Sequence, residues 1–274
     1  MKTRKLLILY SVLLVSVMTL IALLFNLKEG DKPTERTWQD IKESGVLRAV
    51  TEYGSLGYYI SGDSLQGFEY ELSKKLSAIS GLEIQLALEM NLDKSFAMLK
   101  DGEVDVLMRN IPITDALKDE FDFTIPILAS KQVLVQRTVD ADSNKIDVIR
   151  NQIELGGKTL YVPEHSPAIQ RIKNLSEEIG DTIYIKENKL YSSEQLFLMV
   201  VGGDIDYAVC DQRIAQDLHA KYPDIDIRTD ISFNQLQGWA VRKDSEVLLD
   251  SLNNWIKQLD TNDEIQSLIK KYYK

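Results

Sequence analysis

From residue 45 onward, two hydrophobic periods take turns along the chain. Short apolar runs at 47–50, 84–88 and 104–108 are separated by stretches at 70–80 and 95–100 whose apolar positions recur at helical spacing. A second set follows in the same order, extended at 159–162, 182–185 and 207–210 and helical at 167–179, 192–201 and 212–221. This alternation predicts α/β units built on mostly parallel sheets. The Val-rich run 132–137 between the sets and the run 238–241 after them suit strands that cross between two bodies, and two crossings make a hinge. Two further amphipathic segments, 245–259 and 263–272, are expected to return to the first body.

The two sets match residue by residue over one stretch. Phe96, Met98, Gly102, Glu103, Val104, Asp105 and Asn110 recur as Phe197, Met199, Gly203, Asp204, Ile205, Asp206 and Asp211, each 101 residues later. Both copies predict a helix, a glycine-acid turn and a buried strand closed by one short polar residue. Open α/β sheets hold ligands outside the carboxyl ends of their strands, so Asn110 and Asp211 fall where two related lobes would face one ligand.

The amino-terminal end follows another pattern. Lys2, Arg4 and Lys5 precede the uncharged run 6–27, which at about 1.5 Å per residue can cross a hydrocarbon core about 30 Å thick. No small-residue cleavage site appears between Ser16 and Gly30, and the basic residues lie before the run. An uncleaved anchor with its amino terminus in the cytoplasm is therefore expected. The expected plan is a signal anchor at 1–27, a polar tether at 28–37, the first part of lobe 1 at 38–136, lobe 2 at 137–234, and the hinge return with the rest of lobe 1 at 235–274.

Composition narrows the chemistry. With 44% apolar residues the chain can build substantial cores. The net charge is −10 and three of the 32 basic residues precede the apolar run, so the remainder is more acidic still. That field excludes nucleic acid and anionic headgroups as partners. Cys210 is the one cysteine, set in a predicted buried strand, which excludes an internal disulfide and a lipid at a processed terminus. His165 and His219 lack spaced partners for metal binding or nucleophilic catalysis, and no phosphate-cradling glycine loop is present. No catalytic residue, metal or cofactor is expected.

Residues 67–72 (GFEYEL), Thr114 with Phe123, Thr124 and Pro126, Gly157-Lys158, the 203–206 stretch with Asp211, and Lys270-Lys271-Tyr272-Tyr273 resemble motifs of the extracellular solute-binding proteins of family 3. The likeness runs from about Trp38 to the end. It implies an α/β, two-lobed periplasmic-binding-protein-like fold with two hinge crossings, here preceded by one amino-terminal transmembrane helix. The spacing of 47–51, 56–60, 67–72 and 239–245 most resembles the non-catalytic amino-terminal domain of membrane-bound lytic murein transglycosylase F. The lytic domain, with the carboxyl group that would protonate a glycosidic oxygen, has no counterpart in the sequence, so no glycan cleavage is expected.

The resemblance also assigns the cleft. In amino-acid-binding members an arginine three residues after the motif threonine clamps the ligand carboxylate with its two-pronged fork. Here Thr114 is followed by Leu117, so the fork is absent; Arg109 and Lys118 are neighbouring cations in its place. Asp211 matches the aspartate that receives the ligand ammonium, and is equally suited to capping the helix from 212. Ser166 matches a small hydroxyl residue at a helix start, with a plain cap beside Pro167 as the other reading. Tyr53 and Tyr58 are expected as aromatic walls or as core residues. The candidate ligand set is Tyr53, Tyr58, Asn110, Thr114, Ser166 and Asp211.

The function expected is that of a single-pass protein of the bacterial inner membrane with its globular part in the periplasm. It captures a small polar ligand, amino-acid-like, peptide or related, with an ABC-type transporter as the partner to test. The alternative is an envelope sensory or regulatory module that binds peptidoglycan fragments. For the anchor, the expected outcome is a protein that fractionates with membranes and retains Met1 or Lys2. Terminal sequencing that finds a soluble mature protein starting between Ala22 and Glu29 would overturn it.

Overall fold

The computed structural model describes residues 16–19, 35–54, 56–140, 142, 144–164 and 166–272. The chain divides into two compact units, Met1–Glu35 and Arg36–Lys274. The expected anchor lies outside the described residues except for the helical residues 16–19. Among the described residues no helix is long and apolar enough to cross a membrane.

Arg36–Lys274 begins with α1 (Trp38–Ser44), which starts from a reciprocal Thr37/Asp40 cap and stops at Gly45. Next come β1 (Val46–Thr51), the hairpin β2 (Tyr59–Ser61) and β3 (Ser64–Gln66), α2 (Phe68–Ser80), β4 (Glu83–Leu88), α3 (Leu92–Lys100) and β5 (Val106–Pro112). Three short elements, α4 (Asp115–Glu120), β6 (Phe121–Phe123) and β7 (Leu128–Ser130), lead to the first crossing. Beyond it lie β8 (Gln132–Arg137), a 3-10 turn at Gln152–Leu155, β9 (Thr159–Pro163), α5 (Ala168–Ile179), β10 (Tyr184–Asn188), α6 (Ser193–Gly202), β11 (Tyr207–Asp211), α7 (Gln212–His219) and β12 (Ile225–Asp230). The chain then returns through β13 (Gln235–Arg242), α8 (Glu246–Thr261) and α9 (Glu264–Tyr272).

Each lobe is built on one sheet. The first is ordered β4-β1-β5-β13-β6, with β7 also on β13, and the second β10-β9-β11-β8-β12. In both, the first three strands are parallel and the fourth runs antiparallel. The repeat is therefore α3–β5 in one lobe and α6–β11 in the other, at equivalent places. Apolar side chains pack on both faces of each sheet. Leu47 and Met108 join the core on one face of the first sheet, and Val50 and Leu107 join the core on the other. Cys210 and Val209 divide the same way in the second lobe. Burial on both faces explains the unbroken apolar runs.

The repeat extends to a pair of arginines. Arg242, ending β13, donates from Nη1 to the carbonyls of Leu99 (3.1 Å) and Val104 (2.9 Å). Arg137, ending β8, donates from Nη1 to those of Val200 (3.0 Å) and Ile205 (2.9 Å). The two acceptor pairs are themselves 101 residues apart. Each guanidinium satisfies carbonyls that a helix end and its following turn leave open.

The expected crossings shift. β8 pairs within the second sheet and β13 within the first, because ladder hydrogen bonds hold each strand to one lobe. The chain changes lobe just before each strand, at Lys131 and over 231–234, so the second sheet begins at Gln132, ahead of the expected boundary at 137. The crossings are joined: Ile231 N (2.8 Å) and Ser232 N (3.2 Å) donate to Gln132 O, and Gln132 N donates to Ser232 Oγ (2.9 Å).

Behind the first sheet, the buried Glu69 carboxylate accepts from Trp239 Nε1 at 2.9 Å. Burial pushes this carboxyl well above the usual range, against the pull of that hydrogen bond. A raised folded-state pKa means the folded protein holds a proton the unfolded chain has released, so this group's stabilising contribution is lost as pH rises from about 4.5 through the folded value. Glu69→Gln keeps an acceptor for Trp239 and removes the titration. Urea unfolding from pH 4.5 to 8 should give a smaller decline in stability for the variant than for the wild type; equal slopes would refute the assignment.

Candidate functional site

A cavity of about 520 Å³ lies between the lobes. Lobe 1 contributes the segments after β1 and β4 and the end of β5; lobe 2 contributes those after β9 and β10 and the end of β11. These are carboxyl ends of parallel strands, where open α/β sheets bind ligands. Gln132 and Gln237, beside the crossings, complete the floor.

Asp211 stands at the end of β11 and lines the cavity. Its Oδ1 accepts from Ser130 Oγ (2.8 Å) and Arg213 N (2.9 Å), and its Oδ2 from Gln237 Nε2 (3.3 Å). It thus caps α7 while facing the cavity. Burial raises its carboxyl above the ordinary value, and the hydrogen bonds from Arg213, Ser130 and Gln237 oppose that rise.

Four of the six candidate residues come together. Tyr53, Asn110, Ser166 and Asp211 all line the cavity. Ser166 Oγ also accepts from Ala168 N at 3.3 Å, one residue ahead of the N-cap position of α5, which Pro167 occupies. Tyr53 is 53% exposed, a rim residue rather than a wall sunk in the core. Its loop is folded down by close backbone approaches: a Cβ on Gly57 would lie 2.1 Å from Glu52 O, and one on Gly67 2.2 Å from Gly57 O. Glycine is required at both positions.

Tyr58 and Thr114 do not line the cavity. Tyr58 packs edge-on against Tyr70, ring centroids 5.3 Å apart. Thr114 accepts from Leu117 N at 3.4 Å and caps the short α4. Leu117, at the clamp position, packs with the cluster holding Leu99 and Phe121. Lys118 is solvated beside Asp115, at 3.6 Å. Arg109 does line the cavity, but its Nη2 is paired with Glu52, while Nη1 lies 3.4 Å from Glu89 O and 3.5 Å from Met90 O. Glu52, Glu89, Glu164, Glu194 and Gln237 also line the cavity and are absent from the candidate set. The first three follow predicted strands and Glu194 begins a predicted helix, a positional signal, whereas Gln237 has none.

His165 lies outside the described residues, and His219 ends α7 away from the cavity. Cys210 is buried, and burial pushes its thiol well above the usual range. Among the described residues no cluster of metal-ligating side chains occurs.

The model of the bacterial extracellular solute-binding proteins, family 3, matches residues 47–274. A membrane-bound lytic murein transglycosylase F from Desulfosudis oleivorans is 28% identical over 85% of this chain and 50% of its own length. Its namesake from Pseudoalteromonas translucida is 25% identical, over 85% and 47%. The chain therefore spans about half the length of these relatives. An ancestral arginine-binding protein bound to arginine superposes with a TM-score of 0.71 at 22% identity, covering 84% of this chain and 99% of the other. The substrate-binding protein of an amino acid ABC transporter gives 0.68 at 21%, covering 83% and 99%. At these identities the superpositions speak for the fold.

Proposed function

This chain belongs to the bacterial extracellular solute-binding proteins of family 3, and we propose that it captures a small polar ligand between its lobes on the outer side of the inner membrane. The observation that carries the proposal is the inter-lobe cavity with Asp211 of the second lobe in its lining, hydrogen-bonded to Ser130 and Gln237 of the first. Tyr53, Asn110 and Ser166 supply the remaining contacts, and ligand bridging the Asn110 and Asp211 sides draws the lobes together. Amino-acid-binding structural neighbours support a solute-binding role and delivery to an ABC-type transporter. The second reading, an envelope sensory module for peptidoglycan fragments without lytic activity, is favoured by the murein-enzyme relatives.

Mass spectrometry of small molecules retained by the detergent-solubilised full chain tests the proposal. One compound at near-equal stoichiometry is expected, with a smaller radius of gyration in its presence. No retained compound and no compaction would count against a capture role. If Asp211 receives a cationic group, Asp211→Asn removes a charge-assisted hydrogen bond worth about 1.5–3 kcal/mol, a loss of roughly 10- to 150-fold in affinity. Cation binding favours the ionised carboxylate, so wild-type affinity should fall as pH drops through the raised pKa of Asp211, and the variant's should stay flat. Equal binding by both proteins would leave Asp211 only its helix-capping role.

A further inference from the structure

Three observations about the cavity bear on which ligand charge it accepts. Its lining carries five carboxylates, Glu52, Glu89, Glu164, Glu194 and Asp211, against Lys94, Arg109 and Lys189. The cations are poorly placed for an anionic ligand. Arg109 is committed to Glu52; Lys189 pairs with Glu164 at 3.2 Å and its side chain is 80% exposed; Lys94 is exposed on the first turn of α3. At each helix start beside the cavity one amide is already taken: Asn91 accepts from Lys94 N, Ser166 from Ala168 N, Ser192 from Gln195 N and Asp211 from Arg213 N. Those four amides are not open to a ligand carboxylate. The position from which a guanidinium fork would reach the ligand is Leu117, packed among apolar side chains.

A ligand carboxylate entering this cavity would be desolvated beside like charges without a dedicated cation. An ammonium or guanidinium group would instead meet carboxylates that outnumber the cations of the lining, at a lower effective dielectric than bulk water. We infer that the cavity selects small organic amines or guanidines that carry no carboxylate. The inference rests on the cavity being the ligand site.

Matched pairs isolate the carboxylate: agmatine against arginine and cadaverine against lysine differ only by that group. Titration calorimetry on the detergent-solubilised full chain should find each decarboxylated compound at least about 10-fold tighter than its amino acid. Glu52→Gln frees the charge of Arg109 and should shift the arginine-to-agmatine ratio toward arginine, a change that a loss of folding would not produce. Amino acids binding as tightly as the amines, or tighter, would overturn the inference while leaving the cavity as the ligand site. Binding of neither class would overturn it too, and the retained-ligand measurement would then decide separately whether the cavity captures a solute at all.

Discussion

The two arginines that end β8 and β13 hold each lobe together at equivalent places. Each binds the carbonyls at a helix end and in the turn that follows, so the arginine's strand, the helix and the strand after that turn are tied together within one lobe. A guanidinium offers five donors in a planar fork, and a buried one left without acceptors is costly. Arg242 is only 7% exposed, which makes its two carbonyl acceptors a structural requirement. With both lobes braced this way, the chain joins them through the residues between β7 and β8 and between β12 and β13.

Those crossings are short and bonded to each other through Gln132, Ile231 and Ser232. Asp211 meets them from the second lobe through Ser130 and Gln237, and Arg213 adds hydrogen bonds to Ala129 O at 3.1 and 2.7 Å. In the proposed reading, a ligand cation would meet the same carboxylate that accepts from Ser130 and Gln237.

Much of this was legible in the sequence because periodicity and repetition report on burial. The 101-residue repeat pointed to two lobes and placed Asn110 and Asp211 at equivalent strand ends. The hairpin at Tyr59–Gln66 and the short α4, β6 and β7 carry too few residues to establish a period. Tyr58 and Thr114 show the limit of motif transfer: both occupy loop positions, and the direction of a side chain there depends on turn geometry that spacing does not encode. The Glu52–Arg109 pair spans 57 positions and joins the loop after β1 to β5, a contact with no local signature.

The electrostatics of the cavity and of the chain act at different ranges. The net charge of −10 raises the local concentration of cations near the surface, an effect that salt screens over about 8–10 Å. Inside the cavity, selection depends on which charges are already neutralised at close range, and screening there is weaker. Ionic strength should therefore change the rate at which a cation arrives more than the preference between a cation and its carboxylated counterpart. That separation follows from Glu52 and Arg109 neutralising one another within the lining while Asp211 keeps its acceptors directed at the hinge and the cavity alike.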